Sequence, residues 1–139
     1  MSVKNLLRSY ETVLIEENYE NNYWSFTGPG VSFISFVKFS RIDSMVVLYI
    51  SGNYASLLTS NSEFISTNQV PDIFVPDSSV IQPTVVLISN GSKNVGCAYI
   101  GDDRKIHISG DVNPGSPFTA GSTNAGIPNA ITIIYVVDQ

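Results

Sequence analysis

The chain has little charge, one cysteine and one histidine, and each shortage removes a class of protein from consideration. Charged residues are 14% of the 139, against roughly 25% in ordinary soluble domains. A lone copy would therefore present an unusually apolar surface, and other copies of the chain are expected to cover part of it. Only seven residues are Lys or Arg, and the net charge is -5. Those seven, Lys4, Arg8, Lys38, Arg41, Lys93, Arg104 and Lys105, are scattered. Nucleic acid and anionic membrane surfaces both select clustered cations, so neither is expected as a partner. Cys97, being alone, can make no internal disulfide, and packing has to hold the fold. Set between Gly96 and Ala98 in an apolar run, it reads as a buried, inert thiol. No apolar run approaches the ~18 residues of a membrane-spanning helix. The opening Met1 to Leu7 lacks the apolar core of a secretory signal. Synthesis in a cytoplasm is expected.

What the chain does have is β-forming residues and turn signals. From Val31, apolar residues run almost without a break: Val31, Phe33, Ser35, Val37 and Phe39 fall on one face of a strand, Ile34 and Phe36 on the other. Both faces being apolar, the strand is expected to be covered twice, once by the core and once by a neighbouring subunit. Ser40 to Ser44 reads as a turn, and Met45 to Ile50 as the second strand of a hairpin. Trp24 to Phe26 alternates before the turn Thr27 to Gly30. Tyr54 to Asn68 reads as a long loop with a short strand near Glu63 to Ser66. The prolines bracketing Ile73 and Phe74, Pro71 and Pro76, predict an extended, edge-type segment that plugs an apolar gap. Thr84 to Ser89 and Val95 to Ile100 form a hairpin whose Asn90-Gly91 supplies the positive φ of the turn. Ile106 to Ile108 follows the charged turn Asp102 to Lys105, Ser109 to Asn129 is a Gly-, Pro- and Ser-rich loop anchored by Phe118, and Ala130 to Val137 closes the chain as a buried strand. About eight short strands at this spacing predict an all-β fold, an antiparallel β-sandwich or jelly roll.

Residues 1–23 stand apart from the domain expected over 24–139. Leu7 and Leu14 lie seven apart with Tyr10 between them, an a/d spacing for about two turns of helix. A helix that short needs a partner, and a three-stranded bundle on a symmetry axis would provide one. A frayed helix, or a strand through Thr12 to Ile15, reads equally well.

In order, the hairpin Phe39 to Leu48, the Pro-flanked aromatic segment Pro71 to Pro76, the acidic-turn strand Asp102 to Ile108, the Gly/Ala/Asn-rich loop and the terminal strand Ile131 to Tyr135 resemble the compact heads that cap phage and virus fibres. The resemblance covers roughly residues 24 to 137. It implies a homotrimer with an architecture similar to tumour-necrosis-factor-type jelly rolls, residues 1–23 serving as attachment or trimerisation element. The turn at Asp102 to Arg104 departs from the pattern in lacking a Gly before the following strand. By this resemblance the chain is a virion protein, with a fibre shaft and a host-surface protein or glycan as partners. A capsid-decoration protein without receptor binding is the second reading and a small glycan hydrolase the third.

Chemistry-bearing residues are sparse. His107, between Ile106 and Ile108, points away from both and reads as solvent-facing or interfacial, since no second His or Cys offers it a metal partner. Asp102, Asp103, Asp111, Asn113 and Ser116 lack the spacing of a known calcium loop. Asp72 and Asp77 could be imagined as a glycosidase pair, but their flanking prolines favour a turn role. No Gly-x-Ser-x-Gly elbow occurs. No catalytic residue, metal or cofactor is expected. Binding is assigned to exposed loops, with Tyr54, Asn90, Lys93 and Arg104 as contact candidates. Leu7, Leu14, Ile34 and Phe36 are the candidates for the subunit interface.

Overall fold

The computed structural model describes residues 22–76 and 83–137, so the expected helix with Leu7 and Leu14, and also Asp77, lie outside the described residues. The described chain is all-β, a single ten-stranded antiparallel sheet that curls on itself. Its strands are β1 (Asn22–Thr27), β2 (Ser32–Ile42), β3 (Met45–Ile50), β4 (Asn53–Ala55), β5 (Phe64–Ser66), β6 (Thr84–Ser89), β7 (Lys93–Ile100), β8 (Ile106–Ser109), β9 (Ala125–Ile127) and β10 (Ile131–Val136). Their order across the sheet is β10-β3-β2-β1-β5-β8-β7-β6-β9-β4. One half, β10-β3-β2-β1, is built of long strands in full register, with Val37 opposite Ile50 and Ile50 opposite Ile131. The other half is joined to it through the three-residue β5, which has two paired positions with β1 and two with β8.

Alternation decides which side chains enter the core. Phe33, Val37 and Phe39 of β2 are buried beside Trp24 and Phe26 of β1, and Val46, Leu48 and Ile50 of β3 continue the layer. Ring contacts run through it: Phe26 stacks on Phe33, Phe33 meets Phe64 edge-on, and Phe64 meets Phe118 at 4.9 Å. Aromatic pairs of this kind add to the area each ring buries, and this chain of rings crosses the narrow β1–β5–β8 junction. Phe118 is the anchor expected of its loop.

Several local expectations change. The first hairpin turns on two residues only: β2 extends to Ile42, opposite Met45, and Asp43 adopts a left-handed φ of 55°. Arg41 stays inside this extension because its guanidinium donates to the carbonyls of Asp43 (2.6 Å) and Ile73 (2.5 Å). The Pro-bracketed segment is not extended. Pro71 has φ of -58° and opens a 3-10 turn, Asp72–Phe74, in which the Phe74 N–H donates back to the Pro71 carbonyl. Phe74 nonetheless plugs the core, stacked on Phe39 at 4.9 Å. The supposed loops also hold two more strands, β4 and β9, which pair with each other at Tyr54 and Gly126. Backbone hydrogen bonding, not apolar content, makes these strands. The last strand is buried on one face only, Ile131, Ile133 and Tyr135 pointing inward and Ile134 and Val136 outward.

In the charged turn after β7 the missing glycine is answered by Arg104, which itself takes φ of 62°. The Arg104 N–H donates to the Gly101 carbonyl, and the Asp103 carboxylate accepts from the Lys105 N–H at 3.0 Å. The turn is closed by backbone bonds and by an aspartate, in place of glycine's conformational freedom.

Candidate functional site

Two surfaces of the curled sheet are unlike ordinary solvated β-structure. The first is the outer face of β10-β3-β2-β1. Register places Tyr23 opposite Phe36 and Val47 opposite Ile134. Tyr23, Ile34, Tyr49, Ile134 and Val136 are exposed, Ile34 at 56% and Ile134 at 62%. Tyr23 and Tyr49 both meet Phe36 edge-on, at 5.5 and 6.4 Å. Among the described residues the second cover expected over Ile34 and Phe36 is not provided by the chain itself.

The second surface is polar and covered. His107 is not solvent-facing: its side chain retains 12% exposure and that of Glu63 retains 11%. Alternation sends Ile106 and Ile108 inward and His107 to the outer face, where the antiparallel register sets it opposite both Ile65 and Tyr99. The Tyr99 ring stacks on the imidazole at 4.8 Å. Glu63, just before β5, places Oε1 3.1 Å from His107 Nδ1. Its Oε2 accepts from Tyr99 OH at 2.8 Å and from Ser109 Oγ at 2.6 Å. On the far side of the ring, both Asp103 carboxylate oxygens lie 2.9 Å from His107 Nε2. Ser109 Oγ in turn accepts from the Gly115 N–H at 3.1 Å, which ties the loop after β8 to the cluster. Gly28 belongs to the same assembly, since a Cβ there would lie 1.9 Å from the Glu63 carbonyl oxygen.

The electrostatics follow from these contacts. Burial opposes the charged form of Glu63, but donation from His107, Ser109 and Tyr99 outweighs it and holds the carboxyl below its ordinary value. Burial likewise opposes the charged imidazole, and the Glu63 and Asp103 carboxylates outweigh it, raising His107. The Tyr99 hydroxyl is pushed well up by burial and by Glu63. Burial also raises the Cys97 thiol, consistent with the inert reading of that residue.

The arrangement limits the chemistry available. The two carboxylates sit on opposite ring nitrogens, so they do not converge on a point a metal could occupy. Among the described residues no group of three His, Cys, Asp or Glu side chains is placed to hold one. Ser109 donates to Glu63 and not to the histidine. Asp72 is ion-paired with Arg104.

The four loop candidates do not form one patch. Ser89 lies opposite both Gly126 and Lys93, and Gly126 lies opposite Tyr54, so Tyr54, Asn90 and Lys93 share one end of the sheet. Tyr54 and Lys93 are exposed there. The Asn90 side chain binds within the protein, accepting from the Thr119 N–H (3.0 Å) and from Ser122 Oγ (3.0 Å). Arg104 lies beyond the opposite end of β7, eight residues long, or about 25 Å away. Sequence reasoning missed Glu63, Tyr99 and Ser109. The i,i+4 spacing of Asp103 and His107 was a local signal, whereas Glu63 is separated from His107 by 44 positions and gave none. Compared with known protein families and with curated proteins, the chain matches none.

Proposed function

We propose that this chain is a non-enzymatic virion protein, the head of a fibre, which assembles as a homotrimer and attaches the particle to a host-surface protein or glycan. In this reading the curled sheet is a jelly-roll-like sandwich and residues 1–23 join it to the shaft. The observation that carries the proposal is the apolar outer face around Ile34 and Phe36. Four strands ~4.8 Å apart with several outward rows make a patch on the order of 400 Å2. A patch of that size is comparable to the largest on a typical soluble monomer, which is often a functional surface, and the low charge content of the whole chain supports repeated copies as the occupant. Tyr54 and Lys93, exposed at one end of the sheet, are the residues offered to a receptor.

A mass in solution near three times 15.1 kDa, lost in Ile34→Asp or Phe36→Asp, is the expected result. A wild-type monomer, or a variant that remains a soluble trimer, overturns the assignment of this face. The engagement of Asn90 within the protein and the remoteness of Arg104 favour a second reading, a capsid-decoration trimer that binds no receptor. Host-cell binding by the purified trimer that weakens on Tyr54→Ala separates the two.

A further inference from the structure

The β1–β5–β8 junction is a narrow part of the sheet, the one that joins its two halves, and it coincides with the most connected polar cluster among the described residues. β5 meets each neighbour at only two paired positions, Phe26 opposite Ser66 and Thr27 opposite Ile65 on one side, Phe64 opposite Ile108 and Ile65 opposite His107 on the other. Glu63 precedes this strand directly. Its carboxylate reaches across to three side chains of the adjoining half, His107 and Ser109 of β8 and Tyr99 of β7.

The protonation of the histidine matters to this junction for a geometric reason. Nδ1 and Nε2 each face a carboxylate oxygen, at 3.1 and 2.9 Å. A neutral imidazole has one N–H and one lone pair, so it satisfies one carboxylate and sets its lone pair against the other. The imidazolium, with two N–H groups, satisfies both. We propose that Glu63, His107 and Asp103 form a clasp that locks the β5 junction most firmly when the imidazole is protonated, so that mild acidification tightens this seam of the sheet.

The groups facing the imidazole are few. Glu63 approaches from the segment before β5, Asp103 from the β7–β8 turn and Tyr99 from β7, while Ser109 of β8 reaches it through Glu63. Cys97 and Asp111 flank the cluster beyond Ser109. No cation besides His107 is hydrogen-bonded to Glu63 among the described residues.

The pH window follows from the two directions. His107 is raised above its ordinary 6.5, so its contribution is complete below that value and is lost as the pH rises through the folded-state midpoint. Glu63 is lowered below its ordinary 4.5, so its contribution is complete above that value and is lost as the pH falls through its own folded-state midpoint. Both are fully present between those ordinary values.

Because His107 is the one histidine in the chain, its imidazole resonances can be followed by NMR without assignment, in the full-length folded protein and in the same protein in urea. The expected result has three parts. The folded midpoint lies above the urea midpoint; Asp103→Asn, which keeps the side-chain shape and removes one charge, brings it down. Amide-exchange protection at Phe64 and Ile108, which face each other across the seam, corrected for intrinsic pH dependence, falls as the pH rises through the folded midpoint. His107→Gln abolishes that fall. A folded midpoint at or below the urea value, or protection that ignores the titration of His107, overturns the proposal. Both decisive readings use the wild-type chain, so they stand even if a variant fails to fold, and neither depends on the oligomeric state.

Discussion

The outer face of β10-β3-β2-β1 and the outer face of β5-β8-β7 have the same backbone geometry and opposite chemistry. On the first, long strands in full register carry Ile34, Phe36, Tyr49 and Ile134 on the surface. On the second, β7 and the short β8 carry Tyr99, His107 and Ser109, all hydrogen-bonded to Glu63, with the following loop tied to Ser109 by the Gly115 N–H. The contrast teaches where each half finds its stability. The first is held by its ladder and its core, which leaves its outer face available for other copies. The second has few ladder bonds at its junction, and side-chain bonds across that junction make up for them.

The largest expected effect abolishes the distinction. Phe64 contacts Phe33 of the first half and lies 4.9 Å from Phe118 in the second, so Phe64→Ala should cost about 3 to 5 kcal/mol and loosen both halves together in urea unfolding. Glu63→Ala should act on the junction alone. It strands the Tyr99 and Ser109 hydroxyls and leaves His107 with one carboxylate, at a cost of about 2 to 3 kcal/mol, measured by urea unfolding at pH 6 and smaller at pH 8.5. Ile34→Asp should do the reverse, changing the stability of a single copy by less than about 1 kcal/mol while removing self-association seen by light scattering. Arg104→Ala, which removes an exposed ion pair to Asp72, should change thermal stability by about 0.5 kcal/mol or less. A loss as large as that of Glu63→Ala would move the weight of the junction from the histidine to the turn.

Much of the first half could be read in advance because its information is local. The alternation from Phe33 to Phe39 assigns each residue to a face, and the structure keeps that assignment, Ser35 included. Phe118 was legible as a core anchor because a lone large aromatic in a polar stretch has few other places to go, and Phe74 because it stands in a Pro-bracketed apolar segment. The shape around Phe74 was not, since Pro71 is as compatible with the start of a 3-10 turn as with an extended segment, and the bond from the Phe74 N–H decides between them. β4 and β9 escaped notice because three-residue strands carry no period, and they are strands only by pairing with each other.

By itself, the sequence determined an all-β chain held without disulfides, the inward and outward faces of its long strands, and a surface poor in charge. Those properties rest on alternation and composition, which need no partner to be expressed. Only the tertiary structure decided that His107 is enclosed by two carboxylates, that Arg104 occupies the position expected of a glycine, and that Asn90 bonds inward while Tyr54 remains exposed. The Arg104 turn is local, but the Glu63 side of the histidine site and the bonds of Asn90 depend on which residues the fold brings together from distant parts of the chain, and a contact between Glu63 and His107, 44 positions apart, leaves no periodic trace in the order of the residues.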